Sequence, residues 1–170
     1  MESRLKVLGH PVHPMLIVFP LGLLSTAVIF DLIDVAGGPR VLGDVAYWNI
    51  LAGVIGGVLA AVAGVFDLLA IPAGTRAKRI AVLHAVVNTG VLLLFASVWA
   101  VRMGADEHSA GGALLAIEVV ALGVAGVGAW FGGELVDRLG VGIDRDADLN
   151  APNSLRSRSA DRIGRVGGPS

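Results

Sequence analysis

Residues 9–24 read GHPVHPMLIVFPLGLL and lead the chain from a polar segment into an apolar one. Two histidines and two of the prolines stand at this change, although a plain membrane anchor needs neither. Pro14 suits the first turn of a helix, where the backbone N–H that proline lacks has no partner anyway. Pro20 lies deeper and removes a backbone hydrogen bond, which predicts a kink. The stretch therefore predicts an apolar helix that carries polar side chains at its entrance.

The composition of the chain is that of a membrane protein. Of its 170 residues, 55% are hydrophobic and 16% are charged, whereas a soluble domain carries about 25% charged residues. The first apolar run, roughly 15–36, is longer than a signal-peptide core and is followed by no small-residue cleavage site, so we expect a retained helix. The absence of cysteine excludes thiolate metal sites and catalytic thiols. The net charge of −1 provides no basic field for nucleic acid.

Four apolar stretches are each long enough to cross a bilayer, which takes about 20 residues. They cover about 13–35, 46–70, 79–101 and 111–135. The sequence therefore predicts an all-α fold, an integral membrane four-helix bundle with short loops, in one domain of residues 1–142. Residues 143–170 are rich in Arg, Ser, Asp and Gly, and this composition predicts a disordered cytoplasmic tail.

Small residues recur four positions apart in the second and fourth stretches. Such pairs let helix backbones approach closely in lipid, within one chain or between two copies. The pairs are Gly53/Gly57, Ala60/Gly64 and Gly128/Gly132.

Basic residues near the ends of the spans predict an orientation. The N-terminal segment, the loop 71–78 and the C-terminal segment carry most of them, whereas the other two loops contribute only Arg40 and Arg102. The positive-inside rule then places both termini in the cytoplasm, with the protein crossing the bacterial inner membrane several times.

Five intramembrane polar side chains share one depth in this orientation, since a helix rises about 1.5 Å per residue. They lie in the cytoplasmic third of the bilayer and are His13, Asp67, His84, Asn88 and Glu134. His84 and Asn88 share one helix face because they are four residues apart. Ionisable groups in lipid are costly, so they face the bundle interior and pair. The set predicts a polar pocket that opens towards the cytoplasm.

Other polar residues fall outside this set. Asp31 and Glu118 lie on the opposite side of the membrane and predict either a carboxyl pair that keeps one proton or two separately solvated groups. His10 and His108 are expected at the surface.

Motifs in all four spans carry a family resemblance. They are Gly9–Pro14 at the start of span one, Asp67 late in span two, Leu83-His84-Ala85 with Asn88 in span three, and WFGGELV (130–136) with Gly140-Val141-Gly142 after span four. Over about residues 8–142 the chain resembles the bacterial four-span membrane proteins called DUF2231, a domain of unknown function. The resemblance implies an integral membrane protein. The link of some members with iron–sulfur or other redox modules points to electron transfer.

Two classes of function fit the polar pocket. In the first, His13 and His84 bind the iron of one haem b from opposite sides, or they hold a single divalent metal together with Asp67 and Glu134, with Asn88 as polar support. In the second, the same residues relay protons or a small solute, or the protein is an accessory subunit. No catalytic residue is predicted, because the sequence lacks a nucleophile elbow, a phosphate loop and a zinc-protease pair. The partners are the lipid bilayer, with a second copy or a membrane redox protein as further alternatives.

Overall fold

The computed structural model describes residues 1–105, 108–145, 147–151 and 153–154. Four helical segments are long and apolar enough to cross a membrane: Val12–Val35, Val41–Ala70, Arg76–Arg102 and Gly111–Arg138. They confirm the predicted four-span, all-α architecture, and the largest shift is at the second span, which begins five residues before the predicted 46. The predicted disordered tail, 143–170, lies mostly outside the described residues.

The first span is interrupted near its start. Helix α1 covers Val12–Leu16 and helix α2 covers Val18–Val35, with the break at Ile17. Pro20 has no N–H to donate to the carbonyl of Leu16, so the helical hydrogen bond is missing at the break. The interruption that this proline predicted therefore separates α1 from the rest of the span.

Three further helices complete the bundle. They are α3 (Val41–Ala70), α4 (Arg76–Arg102) and α5 (Gly111–Gly133), and a π-helical turn, Glu134–Arg138, continues α5. The hydroxyl of Thr75 caps α4 by accepting from the N–H of Lys78 at 3.1 Å. Helix α2 packs along α3, α4 packs along α5, and α3 joins the two pairs through α4.

Most of the apolar surface of the helices faces outward. Between 17% and 28% of the residues in the most apolar part of each span are buried inside the protein. The buried core runs between α2, α3, α4 and α5 around Ala27, Ile50 and Phe95. A bundle that is apolar on the outside as well as the inside is expected where lipid, and not water, surrounds it.

A short β-hairpin covers one end of the bundle. Strands β1 (Lys6–Val7) and β2 (His10–Pro11) pair antiparallel, and Glu2 forms a parallel bridge with Gly142. The hydrogen bond from the Lys6 ammonium lowers the pKa of the Glu2 carboxyl below its ordinary value. We call this the hairpin end, and we call the opposite end, where α2 and α4 finish and α3 and α5 begin, the loop end.

Glycines in α3 make room for side chains of the same chain. A Cβ atom on Gly53 would lie 2.8 Å from Cγ of Leu24, and one on Gly57 would collide with the side chain of Leu92. This pair of small residues therefore serves packing inside the bundle and not an interface between copies.

The substitution Gly53→Ala is expected to destabilise the bundle by about 1–3 kcal/mol, because Leu24 has to move. Gly90→Ala in α4 is the matched control, since nothing lies within 4 Å of its Cβ position. It should be neutral or slightly stabilising, by up to about 1 kcal/mol. Equilibrium unfolding of the detergent-solubilised protein by sodium dodecyl sulfate measures both, and equal effects would contradict this account of the packing.

Candidate functional site

Two histidines face each other inside the hairpin-end half of the bundle. The rings of His13 on α1 and His84 on α4 have centroids 6.2 Å apart and are almost perpendicular, at 83°. The sequence placed both at one depth, and the structure brings them together. They line a cavity of about 510 Å³, which lies within the roughly 300–1,000 Å³ of ligand pockets.

Each histidine is held by a backbone carbonyl on a neighbouring helix. Nδ1 of His13 lies 2.7 Å from the carbonyl oxygen of Ala60 on α3, and Nδ1 of His84 lies 2.9 Å from that of Gly128 on α5. A carbonyl oxygen only accepts, so each Nδ1 carries the proton and each Nε2 keeps its lone pair. Neither Nε2 has a hydrogen-bond partner among the described residues. Histidines that bind metals are oriented in this way by their second nitrogen.

Glycines behind the rings make these positions available. A Cβ atom on Gly64 would lie 3.0 Å from Nδ1 of His13, and one on Gly132 would lie 3.3 Å from Cε1 of His84. The small residues that predicted close helix packing thus accommodate polar side chains.

Asn88 supports His84, as its position on the same helix face predicted. Its Nδ2 donates to the backbone carbonyl of His84 at 2.8 Å and lies 3.3 Å from Nδ1 of that ring. A Cβ atom on Gly128 would come within 2.7 Å of the Asn88 amide. The amide is therefore wedged between its own helix and α5.

The predicted metal set of His13, Asp67, His84 and Glu134 is not assembled, which corrects that expectation. Both oxygens of Asp67 accept from the hydroxyl of Ser3 at 2.8 Å, and one also accepts from the N–H of Arg4 at 2.6 Å. The N-terminal segment binds this carboxylate, because its polar groups need hydrogen-bond acceptors at the membrane edge.

Glu134 is taken up in a different way. It pairs with Arg76 at 2.5 Å, and the arginine side chain is 54% exposed, so the pair forms a rim at the hairpin end. Among the described residues, no group of three or more His, Cys, Asp or Glu is placed to hold a metal ion.

A buried arginine at the loop end was missed by the sequence reasoning, which counted it as a loop charge. Arg102, Asp31 and Glu118 are each 0% exposed. Arg102 binds both oxygens of Asp31, at 2.7 and 2.8 Å, and Oε1 of Glu118 at 3.1 Å. Its remaining donors reach the carbonyls of Gly43 at 3.0 Å and His108 at 2.7 Å. Two carboxylates that face the bundle interior need a cation. Arg102, at the end of span three, was the residue in the sequence that could have indicated one.

His108 is also less exposed than predicted. Its Nδ1 pairs with Asp44 at 2.8 Å, with the His108 side chain 34% exposed. Its ring stacks on Tyr47 with centroids 4.1 Å apart. His108 is only partly exposed because its carbonyl accepts from Arg102 and its ring packs on Tyr47. His10, by contrast, is exposed as predicted and lies 3.3 Å from the hydroxyl of Ser154.

The fold and this site define an integral membrane four-helix protein with a histidine-lined cavity at one end and a buried ion cluster at the other. The chain belongs to the DUF2231 family, described as predicted membrane proteins, whose match covers residues 9–145. The resemblance drawn from the motifs is thereby confirmed. No curated protein and no solved structure matches the chain.

Arg102→Met is expected to destabilise the protein by about 3–5 kcal/mol, because it leaves two carboxyl groups buried without their cation. Arg76→Met removes the partly exposed pair with Glu134 and should cost about 0–1 kcal/mol. Unfolding in detergent measures the stability of both variants. Similar losses of stability would show that the buried cluster contributes no more than the partly exposed pair.

Proposed function

We propose that the protein binds one haem b between His13 and His84 and transfers electrons within the membrane. The observation that carries this proposal is the pair of facing rings, each with its Nδ1 proton committed to a backbone carbonyl and its Nε2 left free. Histidine nitrogens with a free lone pair are common ligands of haem iron, and each Nε2 would be available to hold it.

The spacing of the rings supports the proposal. A metal–imidazole bond is about 2.0–2.1 Å long, so a metal ion held by one nitrogen of each ring needs the two rings close together. The observed centroid distance between His13 and His84 is 6.2 Å. The cavity around them is large, about 510 Å³, and much of its wall is apolar, with Leu24, Leu92 and Phe95 among the lining residues.

The number of ligands favours haem over a bare metal ion. A zinc or non-haem iron site needs three or more protein ligands, and the described residues hold no such group. A haem brings four nitrogen ligands of its own, so two histidines complete the coordination.

The chain's own residues would set the properties of this site. A bound haem supplies one-electron transfer between ferric and ferrous iron. His13 and His84 would hold the iron of the haem through their Nε2 atoms. The carbonyls of Ala60 and Gly128 hold the Nδ1 protons, which makes each Nε2 a stronger ligand. Together these features favour electron transfer over catalysis.

The proton-relay alternative has less support. A relay would pass through Asp67, which lines the same cavity as His13 and His84, but both of its oxygens accept from Ser3 and one also from the N–H of Arg4. An electron-transfer role requires a redox partner at the membrane. It does not require a second copy of the chain.

We propose that the protein lies in the bacterial inner membrane with the hairpin end in the cytoplasm. The support is the concentration of Arg and Lys at that end, including Arg4, Arg76, Lys78 and Arg79. Basic residues are retained on the cytoplasmic side of membrane proteins.

The purified protein, expressed with added haem precursor, is expected to show a Soret band and the spectrum of six-coordinate low-spin haem, with about one iron per chain. His13→Ala and His84→Ala should each lose the low-spin spectrum, whereas His10→Ala should keep it. Size-exclusion chromatography shows whether the variants stay folded. Absence of haem from the wild type, or low-spin spectra in both histidine variants, would overturn the proposal.

The natural absence of cysteine allows the orientation to be tested directly. Ala73→Cys lies at the hairpin end and Gly104→Cys at the loop end, and both positions are exposed. A membrane-impermeant maleimide added to intact cells should label residue 104 and not residue 73. The opposite pattern would reverse the orientation without touching the haem proposal.

A further inference from the structure

The buried cluster at the loop end has an excess of carboxyl groups over cations. Asp31, Arg102 and Glu118 come from α2, α4 and α5 and are each 0% exposed. If all three were ionised, the cluster would carry one uncompensated negative charge in an apolar interior. Burial of an ion costs several kcal/mol even after relaxation, unless a counter-ion compensates it.

The two carboxyl groups are not equivalent partners of the arginine. Asp31 takes two hydrogen bonds from the guanidinium, through both of its oxygens. Glu118 takes one, at 3.1 Å through Oε1, and its Oε2 is buried with no hydrogen-bond partner among the described residues. A bidentate pair is the stronger arrangement, so Asp31 is the counter-ion of Arg102.

No further donor on the guanidinium remains for Glu118. An arginine has five N–H donors, and those of Arg102 reach Asp31 twice, Glu118 once, and the carbonyls of Gly43 and His108.

The described contacts assign no second cation to Glu118 from the neighbouring ionisable groups. On α2, Asp34 accepts from the hydroxyl of Ser109 at 3.0 Å. On α3, Asp44 pairs with His108 at 2.8 Å, and Arg40 stands at the N-terminus of the helix. Among the described residues, Glu118 forms its salt bridge with Arg102.

We propose that Glu118 is a proton-binding site, loaded at neutral pH, with the proton on Oε2. The cluster is then a neutral set of one carboxylate, one guanidinium and one carboxylic acid. Oε2 takes the proton because it is the buried carboxyl oxygen of the cluster that has no hydrogen-bond partner among the described residues. The proton comes from water and returns to water, and it is released only when the charge of Asp31 or its pairing with Arg102 changes.

Infrared spectroscopy of the protein in lipid nanodiscs at pH 7 tests the site, because a carboxylic acid has a C=O stretch that a carboxylate lacks. The wild type should show this band, and Glu118→Gln should lose it. Glu134→Gln is the control and should retain it, because Glu134 pairs with Arg76 at the opposite end.

Asp31→Asn gives a second, independent arm. Removing the Asp31 charge leaves Glu118 as the sole counter-ion of Arg102, so Glu118 should ionise and the band should disappear although the glutamate is still present. A wild type without the band, a band that persists in Glu118→Gln or in Asp31→Asn, or its loss in Glu134→Gln would overturn the proposal. The wild-type and Asp31→Asn spectra decide the matter if Glu118→Gln fails to fold.

Discussion

The requirement that polar groups inside an apolar slab find partners within the chain governs this structure. Arg102 shows it most fully. Its five N–H donors reach Asp31 on α2, Gly43 on α3, Glu118 on α5 and the carbonyl of His108. A single side chain thereby connects four helices and the segment that covers them. Because a buried charge without its counter-ion is costly, the loop end has one arrangement of low energy, and this fixes how the helices meet.

The hairpin end meets the same requirement without a counter-ion. The rings of His13 and His84 donate to carbonyls of α3 and α5, so neutral groups satisfy neutral groups. Glycines leave space behind the rings, and the break at Ile17 lets α1 enter at its own angle. The result is an open cavity at one end of the bundle and a filled, charged contact at the other.

The spans were predictable from the sequence because length and apolarity alone decide whether a helix crosses a bilayer. The sequence placed His13 and His84 at a common depth but left open whether they meet. The position of Asn88 on the same helix face as His84 followed from helical spacing. Depth does not specify direction, however. Asp67 and Glu134 share the depth of the histidines but point to Ser3 and Arg76, because the covering segment and the rim compete for them. Arg102 was missed because its position at a helix end suggested a loop residue. Only the acidic side chains on two other helices show that it is buried.

The histidine pair differs from the arginine cluster in what it leaves unsatisfied. Arg102 has no free donor, whereas both Nε2 atoms stand without a hydrogen-bond partner among the described residues. Both rings are partly exposed and line the same cavity, so their free nitrogens are accessible to a ligand. Two histidines whose Nδ1 protons are held by neighbouring helices, and whose Nε2 lone pairs remain free in one cavity, are the arrangement on which the haem proposal rests.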